Sequence, residues 1–431
     1  MEHHWNLRCV TCGKTFEDQG GFRLACDQDH PPALLRALYR SLSFSPRDEN
    51  PGIFRYASWM PVMRSFPWAR GPIVFESDSL ARSVGLQHLF IAFSGYWPER
   101  GAFMESCSFK ELEALAVCAA IPEATSDTLV ICSAGNTGRA FIQTASRLGI
   151  KVLVVVPESA ASDMWMTVDR HPAARLAIVG GGADYTDAIS VGARICSLTG
   201  YYPEGGARNT ARRDGLGTVL LAAVEKIGAI PQHFVQAVGS GTGGIAAWEM
   251  NQRLNSDGRF GTRLMKLHLV QNSPFAIMHA AWRQGCRELP AQDESQARRC
   301  ISQLHSRVLG NRAPPYSMAG GVFDALRATD GEMYAVDNDK AREAGIIFKT
   351  LEGLDLDPAA EVALAGLSEA VSSGKIPRNQ SVLLNLTGGG RVRLARDRMI
   401  LPVRADITIQ RADTCQAELA VLIDNGRKRE S

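Results

Sequence analysis

The side chain with the most chemistry to offer is a lysine. In "ESCSFKELEALAV" Lys110 follows Ser108 and Phe109 at the head of an amphipathic stretch. A lysine at a helix start is ordinarily a solvated surface residue, so position alone gives it no role. A primary amine becomes reactive when a site presents it with a carbonyl, and three glycine-rich turns could complete such a site. They are "CSAGNTG" (132–138), "VGSGTGG" (238–244) and "NLTGGG" (385–390), each behind an apolar run. One such turn means only that a strand meets a helix tightly. Three of them suggest the ligand-binding edge of a parallel sheet.

The middle turn satisfies G-x-G-x-x-G through Gly239, Gly241 and Gly244. A dinucleotide would also need an acidic residue about 20 positions on, at the end of a second strand. Asp257 lies at a tolerable distance, but "QRLNSDGRFG" is polar turn material rather than the end of an apolar strand. A ligand with a single phosphate fits better, held by N–H groups at a helix start. An amine at Lys110, a phosphate cup and a polar turn containing Asn136 are the parts needed to hold pyridoxal phosphate, whose aldehyde bonds to an amine.

A second kind of chemistry sits at the N-terminus. "CVTCGKTFEDQGGFRLACDQDH" places Cys9, Cys12, Cys26 and His30 as C-x2-C followed by C-x3-H. Three soft sulfurs and an imidazole suit tetrahedral zinc, and four protein ligands leave no open position, so the metal would be structural. Small-core thiols beside a solvated histidine would give the same spacing.

These residues need elements to hold them. Strand-like "TLVICS", "KVLVVVP", "ARLAIVGG", "HFVQAVGS" and "LHLVQN" alternate with helix-like "FKELEALAVCAA", "TGRAFIQTASRLG" and "YTDAISVGARICSLTG". Strands apolar on both faces, spaced by helices, predict an α/β fold with a parallel sheet. The expected divisions are 1–32 as a Cys/His segment, 33–105 as the first part of a large domain, 106–190 as a small domain, 191–400 as the remainder of the large domain and 401–431 as a tail. With 47 Lys+Arg against 45 Asp+Glu the net charge is +2, so no global field draws the chain to nucleic acid or an anionic membrane. The start "MEHHWNLRCV" has no apolar h-region and the ten cysteines form no disulfide framework. The expectation is a soluble cytoplasmic protein.

In order and separation, "SCSFK", "SAGNTGRA", "VGSGTGG", "EGLDLDPAAEVALAGL" and "LTGGG" resemble the landmarks of fold-type II pyridoxal-phosphate enzymes, in particular the threonine synthase branch. The resemblance spans about residues 100 to 390. It implies a tryptophan synthase β-like architecture, with two open, twisted, mostly parallel sheets and helices on both faces. Longer phrases such as "GIFRYASWMPV", "EGGARNTARRDGLGTV" and "NRAPPYSMAGGVFDAL", together with the Cys-bearing N-terminus, are similar to the cysteate synthase family. That family is taken to replace the phosphate of O-phospho-L-serine with sulfite, through a lysine aldimine and an aminoacrylate.

Carried over by the resemblance, Lys110 bears the cofactor and Asn136 bonds its ring hydroxyl oxygen. Gly239, Ser240, Gly241, Thr242 and Gly243 hold the phosphate, and Thr387 faces the pyridine nitrogen. Ser133, Gly135 and Thr137 hold the substrate carboxylate. Among Arg208, Arg212 and Arg213, which precede the helix expected over "GLGTVLLAAVEKIG", Arg212 is the substrate candidate, because "NTARRDGLGT" resembles the N-P-x-R-x-E-G-x-K-T stretch of threonine synthases. The implied partners are phosphoserine, sulfite and further copies of the chain.

One stretch departs from the branch. Glu105, Ser106 and Cys107 stand where threonine synthases write Pro-Thr-Gly, which argues against O-phosphohomoserine as substrate. Cys107 reads as a packing residue or as a reactive thiol. Threonine synthesis, replacement with another nucleophile, and a catalytically silent cofactor-binding regulator stay open as alternatives.

Overall fold

Strands that read as apolar on both faces are buried on both faces. His233–Ala237 and Val152–Pro157 are buried at every residue, as parallel strands covered by helices must be. In the computed structural model, which describes residues 3–18 and 22–428, these two strands belong to different compact units. One unit is Met1–Ala120 with Gly206–Leu394, and the other is Ile121–Gly205 with Ala395–Ser431.

The first unit holds a six-stranded sheet in the order Glu332–Val336, Lys266–Asn272, His233–Ala237, Ser381–Leu386, His88–Phe93, Ile73–Glu76. All neighbours run parallel except the edge strand Ile73–Glu76, which is antiparallel. One face packs Ile91, Phe93, Val235, Leu384 and Leu386 into a core with Val362, Ala363 and Leu367 of the helix Pro358–Ser372. Each such aliphatic or aromatic side chain, fully buried, contributes about 1.5–3 kcal/mol. Because side chains alternate along a strand, Gln236 and Asn385 point to the other face. Helices Lys110–Ala120, Thr210–Ile227 and Thr242–Asp257 lie on that side, packed on one another in that order.

A three-stranded antiparallel sheet precedes this one, with Trp5–Cys9 between Thr15–Glu17 and Leu35–Tyr39. Alternating burial along Trp5–Cys9 marks a sheet with one covered face. The Cys/His segment therefore does not end at residue 32 but pairs onward to Tyr39.

The second unit is a five-stranded parallel sheet in the order Tyr201–Pro203, Thr128–Cys132, Val152–Pro157, Ala174–Val179, Ile407–Ile409. Its boundaries differ from the expected 106 and 190 for a physical reason at each end. The helix Lys110–Ala120 packs against Thr210–Ile227 in the first unit, whereas Tyr201–Pro203 pairs with Thr128–Val130 in the second. Nor are residues beyond 401 only a tail: Ile407 and Ile409 enter the core beside Ala177 and Val179, with Leu419 and Ile423 from the helix Gln416–Lys428. No cysteine forms a disulfide, and among the described residues no helix is long and apolar enough to cross a membrane.

Candidate active site

All three glycine-rich turns stand at carboxyl ends of strands, after Thr128–Cys132, His233–Ala237 and Ser381–Leu386. Lys110 is the first residue of its helix, and the turn before it is stitched to the third glycine turn. Phe109 N–H donates to Thr387 O at 2.8 Å, and Gly389 N–H donates to Cys107 O at 3.2 Å. The 352–367 stretch closes the same knot, since Asp357 N–H donates to Gly388 O at 3.1 Å and Gly390 N–H to Asp355 O at 2.8 Å. Cys107 has φ +51°, in the left-handed region that L side chains rarely adopt, and its side chain is buried.

The residue that organises the lysine lies outside the motifs that mark the site. Glu113, one turn further along the helix, is fully buried, with Oε2 3.3 Å from Lys110 Nζ and Oε1 3.1 Å from Arg212 Nη1. An amine, a carboxylate and a guanidinium thus stand in a row. The spacing K-x-x-E at the head of a helix was the available signal, because residues three apart share a helix face.

The arginine cluster is not a basic turn ahead of a helix. The helix begins at Thr210, capped by Asn209, whose side-chain oxygen accepts from the N–H groups of Ala211 and Arg212. Arg212 and Arg213 therefore lie in its first turn. Arg213 is fully buried, bonded to Glu249 and to the carbonyls of Ala207 and Leu35, so it serves the scaffold. Arg208 is exposed.

The second glycine turn has a shape that could cup a phosphate. Gly241, with φ +78°, caps the helix Thr242–Asp257 in a conformation that L side chains rarely adopt. A Cβ on Gly243 would come within 2.3 Å of Gln236 Nε2, so the backbone here lies directly on the buried polar side chain below it. Ser240 Oγ and Thr242 Oγ1 are 2.8 Å apart, beside the N–H groups that a helix start leaves without intrahelical partners.

Beneath the cup, Asn385 Nδ2 donates to Gln236 Oε1 at 2.8 Å, while Asn385 Oδ1 and the hydroxyl of Ser94 are buried without a hydrogen-bond partner. Ser94 follows His88–Phe93, beside Leu386, whose carbonyl accepts from its N–H. Buried polar atoms left unpaired cost about 1–3 kcal/mol each. A polar ligand on this face, which also carries Thr387, is what such a surface suits, and pyridoxal phosphate fits the donor set.

In the second unit, Ser133 Oγ accepts from Gly135 N–H at 3.0 Å and Gly138 N–H at 2.8 Å. This folds the turn so that Asn136 and Thr137 open the helix Asn136–Leu148, with Gly135 as its cap. Asn136 Oδ1 accepts from Arg139 Nη2 at 2.8 Å, so the amide is oriented with its oxygen toward the guanidinium and its NH2 as the donating end. Arg139, stacked 4.5 Å from the Trp165 ring centroid, is a second positioning residue that the motif reading did not single out.

At the N-terminus, the ligand atoms of Cys9, Cys12, Cys26 and His30 all lie within 4.8 Å of one another. Cys9 Sγ is 3.4 Å from His30 Nε2, and Cys12 Sγ is 3.6 Å from Cys26 Sγ. Burial pushes the Cys9 thiol up, but hydrogen bonds from the backbone of Cys12 and Thr11 and from neighbouring thiols outweigh it and bring it down to about 7. His30 Nδ1 faces Pro31 O at 2.7 Å. A proton on Nδ1 leaves the Nε2 lone pair directed at the thiols, the arrangement of a metal-ligating histidine.

A family model described as pyridoxal-phosphate dependent enzyme matches residues 94–388. The cysteate synthase of Methanosarcina acetivorans is 45% identical over 96% of this chain and 98% of its own length. That of Methanoculleus marisnigri is 48% identical over 95% of this chain and 94% of its own. Among solved structures, maize serine racemase shares the fold, with a TM-score of 0.56 at 15% identity over 76% of this chain and 91% of its own. The chain belongs to the pyridoxal-phosphate dependent enzymes and, within them, to the cysteate synthase family.

Proposed function

We propose that this protein exchanges the phosphate of O-phospho-L-serine for sulfite, releasing L-cysteate and phosphate. The observation that carries the reading is the near full-length likeness to cysteate synthases. The turn Glu105 to Cys107, which departs from the threonine synthase pattern beside the lysine, favours it over threonine synthesis.

Bound pyridoxal phosphate supplies an electron sink for the charge left at Cα when its proton departs. Lys110 is the cofactor's partner and the base that takes that proton and later returns it. The N-terminus of Thr242–Asp257, with Gly239, Ser240, Gly241, Thr242 and Gly243, binds the cofactor phosphate. Thr387 offers the pyridine nitrogen a neutral hydroxyl, which does not hold a proton there as a carboxylate would and so favours loss of a β-substituent. Asn136, oriented by Arg139, donates to the ring hydroxyl oxygen. Ser133, Gly135 and Thr137 hold the substrate carboxylate at the start of their helix. Arg212 receives the anionic leaving group, and Glu113 fixes the guanidinium in place.

A structural zinc at Cys9, Cys12, Cys26 and His30 completes the assignment. It is supported by three sulfurs and one imidazole converging within 4.8 Å, a set that suits tetrahedral zinc. Phosphate release from phosphoserine, followed with and without sulfite, tests the reaction. Sulfite-dependent release with cysteate formed supports it. Release without cysteate restricts the enzyme to elimination, and no release under either condition overturns the reading.

A further inference from the structure

The Cys/His cluster is joined to the frame that carries the phosphate cup and Arg212. We infer that metal at Cys9, Cys12, Cys26 and His30 and cofactor at the Gly239–Gly243 loop bind cooperatively through that frame, an inference that rests on the zinc assignment above.

The connection is short. Cys9 ends the strand Trp5–Cys9 and pairs with Leu35, and Val10 N–H donates to Leu34 O at 3.1 Å. The carbonyl of Leu35 accepts from the guanidinium of Arg213, the residue after Arg212. Arg36 gives Nε to Glu249 Oε1 at 3.0 Å and Nη1 to Gln252 Oε1 at 2.7 Å, and its guanidinium lies 4.3 Å from the Trp248 ring centroid. Arg213 Nε takes the other oxygen of Glu249 at 2.8 Å. Three strand positions beyond Arg36, Tyr39 donates to Asp214, which pairs with Arg253 at 2.7 Å. Glu249 and Arg253 lie on the helix whose first turn is the phosphate cup.

Arg213, Asp214 and Glu249 are buried. A buried charge that loses one partner is strongly destabilised, so this network holds both helices to the strand Leu35–Tyr39 as one piece. The other end of that strand depends on the cluster. Cys26 and His30 sit on a segment, residues 22–34, that belongs to no strand; its contacts include the bridge of Ala33 with Ala319 and the ion pair of Asp27 with Lys14 at 2.7 Å. The large core side chains of the small sheet are Trp5, Leu7, Phe16, Leu35 and Tyr39, and modules of about 40 residues or fewer usually need a metal, a disulfide or association with another body to stay folded. Metal ties the 22–34 segment to the Cys9–Cys12 turn and fixes Leu35 O where Arg213 meets it. Without metal that tie is lost, and the Leu35 end of the strand loosens together with the first turn of Thr210–Ile227 that Arg213 joins to it.

Coupling between two sites is reciprocal, and typical values correspond to about 5- to 150-fold in affinity. Zinc content of the purified holoenzyme is measured first. Pyridoxal phosphate affinity is then titrated on zinc-loaded and chelator-stripped protein, and zinc affinity, against a chromophoric chelator, on protein with and without cofactor. Hydrogen exchange is followed over residues 209–216 and 246–253. The expected result is one zinc per chain, weaker cofactor binding after stripping by at least about fivefold, the same factor in zinc affinity, and faster exchange in both segments. Cys12→Ser, at an exposed ligand, should reproduce the stripped state; if that variant does not fold, the stripped wild-type protein alone decides. Stoichiometric zinc with unchanged cofactor affinity overturns the coupling and leaves the zinc assignment standing. Protein that binds no zinc after reconstitution overturns both.

Discussion

Glu113→Gln removes one charge from the row that joins Lys110 to Arg212 while keeping the side chain's shape. At 3.3 and 3.1 Å, and with an effective dielectric of about 20, each ion pair has a gross attraction of about 5 kcal/mol. Much of that offsets the cost of keeping the Glu113 carboxylate dry. Breaking a buried pair typically costs about 3–5 kcal/mol, and the amide oxygen retains part of the hydrogen bonding. A net loss of about 2–3 kcal/mol in the fixing of Arg212 is expected, which lowers kcat/KM by roughly 30- to 150-fold. If Arg212 holds the phosphate group of bound phosphoserine, most of the loss appears as a raised KM rather than a lowered kcat. The assay is phosphate release against phosphoserine concentration, with thermal unfolding run in parallel. A variant with wild-type KM and kcat refutes the positioning role, and a lowered Tm with intact kinetics reduces Glu113 to a structural ion.

Lys110→Ala should lose the visible absorbance of the lysine-bound cofactor, which in the wild-type protein borohydride bleaches while fixing the cofactor covalently; a yellow, reducible variant would remove Lys110 from its role. Gly243→Ala puts a Cβ 2.3 Å from Nε2 of Gln236, whose Oε1 accepts from Asn385 and so holds the amide in place. Overpacking of about 1–3 kcal/mol should weaken pyridoxal phosphate by roughly 5- to 150-fold on titration, and unchanged affinity would show that the cup tolerates a side chain. Acid stability should depend on the buried chain His233, His268 and Tyr334, linked at 2.9 Å on both sides of His268. Burial first, and His233 beside it, push His268 down to about 2, so the folded protein keeps it neutral while the unfolded chain protonates below about 6.5. Its contribution is complete above about pH 6.5 and is lost as pH falls toward 2, with a slope of up to about 1.4 kcal/mol per pH unit. His268→Gln should flatten denaturant-measured stability over about pH 5 to 7, and an identical slope would contradict this.

Local chemistry was legible in the chain and long-range pairing was not. The three glycine turns, Lys110 at a helix start and the parallel strands follow from residue type and period, which act over a few positions. That Ile407–Ile409 completes a sheet with Ala174–Val179 depends on pairing across more than 200 residues, which no local period encodes. Asn209 caps the helix, so it starts at Thr210 and holds Arg212 and Arg213 in its first turn rather than ahead of it. Arg212 and Arg213 are adjacent and chemically identical, yet one meets Glu113 beside the lysine and the other is consumed by Glu249 and two carbonyls. Only packing separates them.

The most direct test of the central reading is product analysis with purified protein, O-phospho-L-serine and sulfite. Mass spectrometry should find L-cysteate in equal amount to released phosphate, dependent on sulfite and absent with Lys110→Ala. Phosphoserine left intact by cofactor-loaded protein in the presence of sulfite would contradict the account.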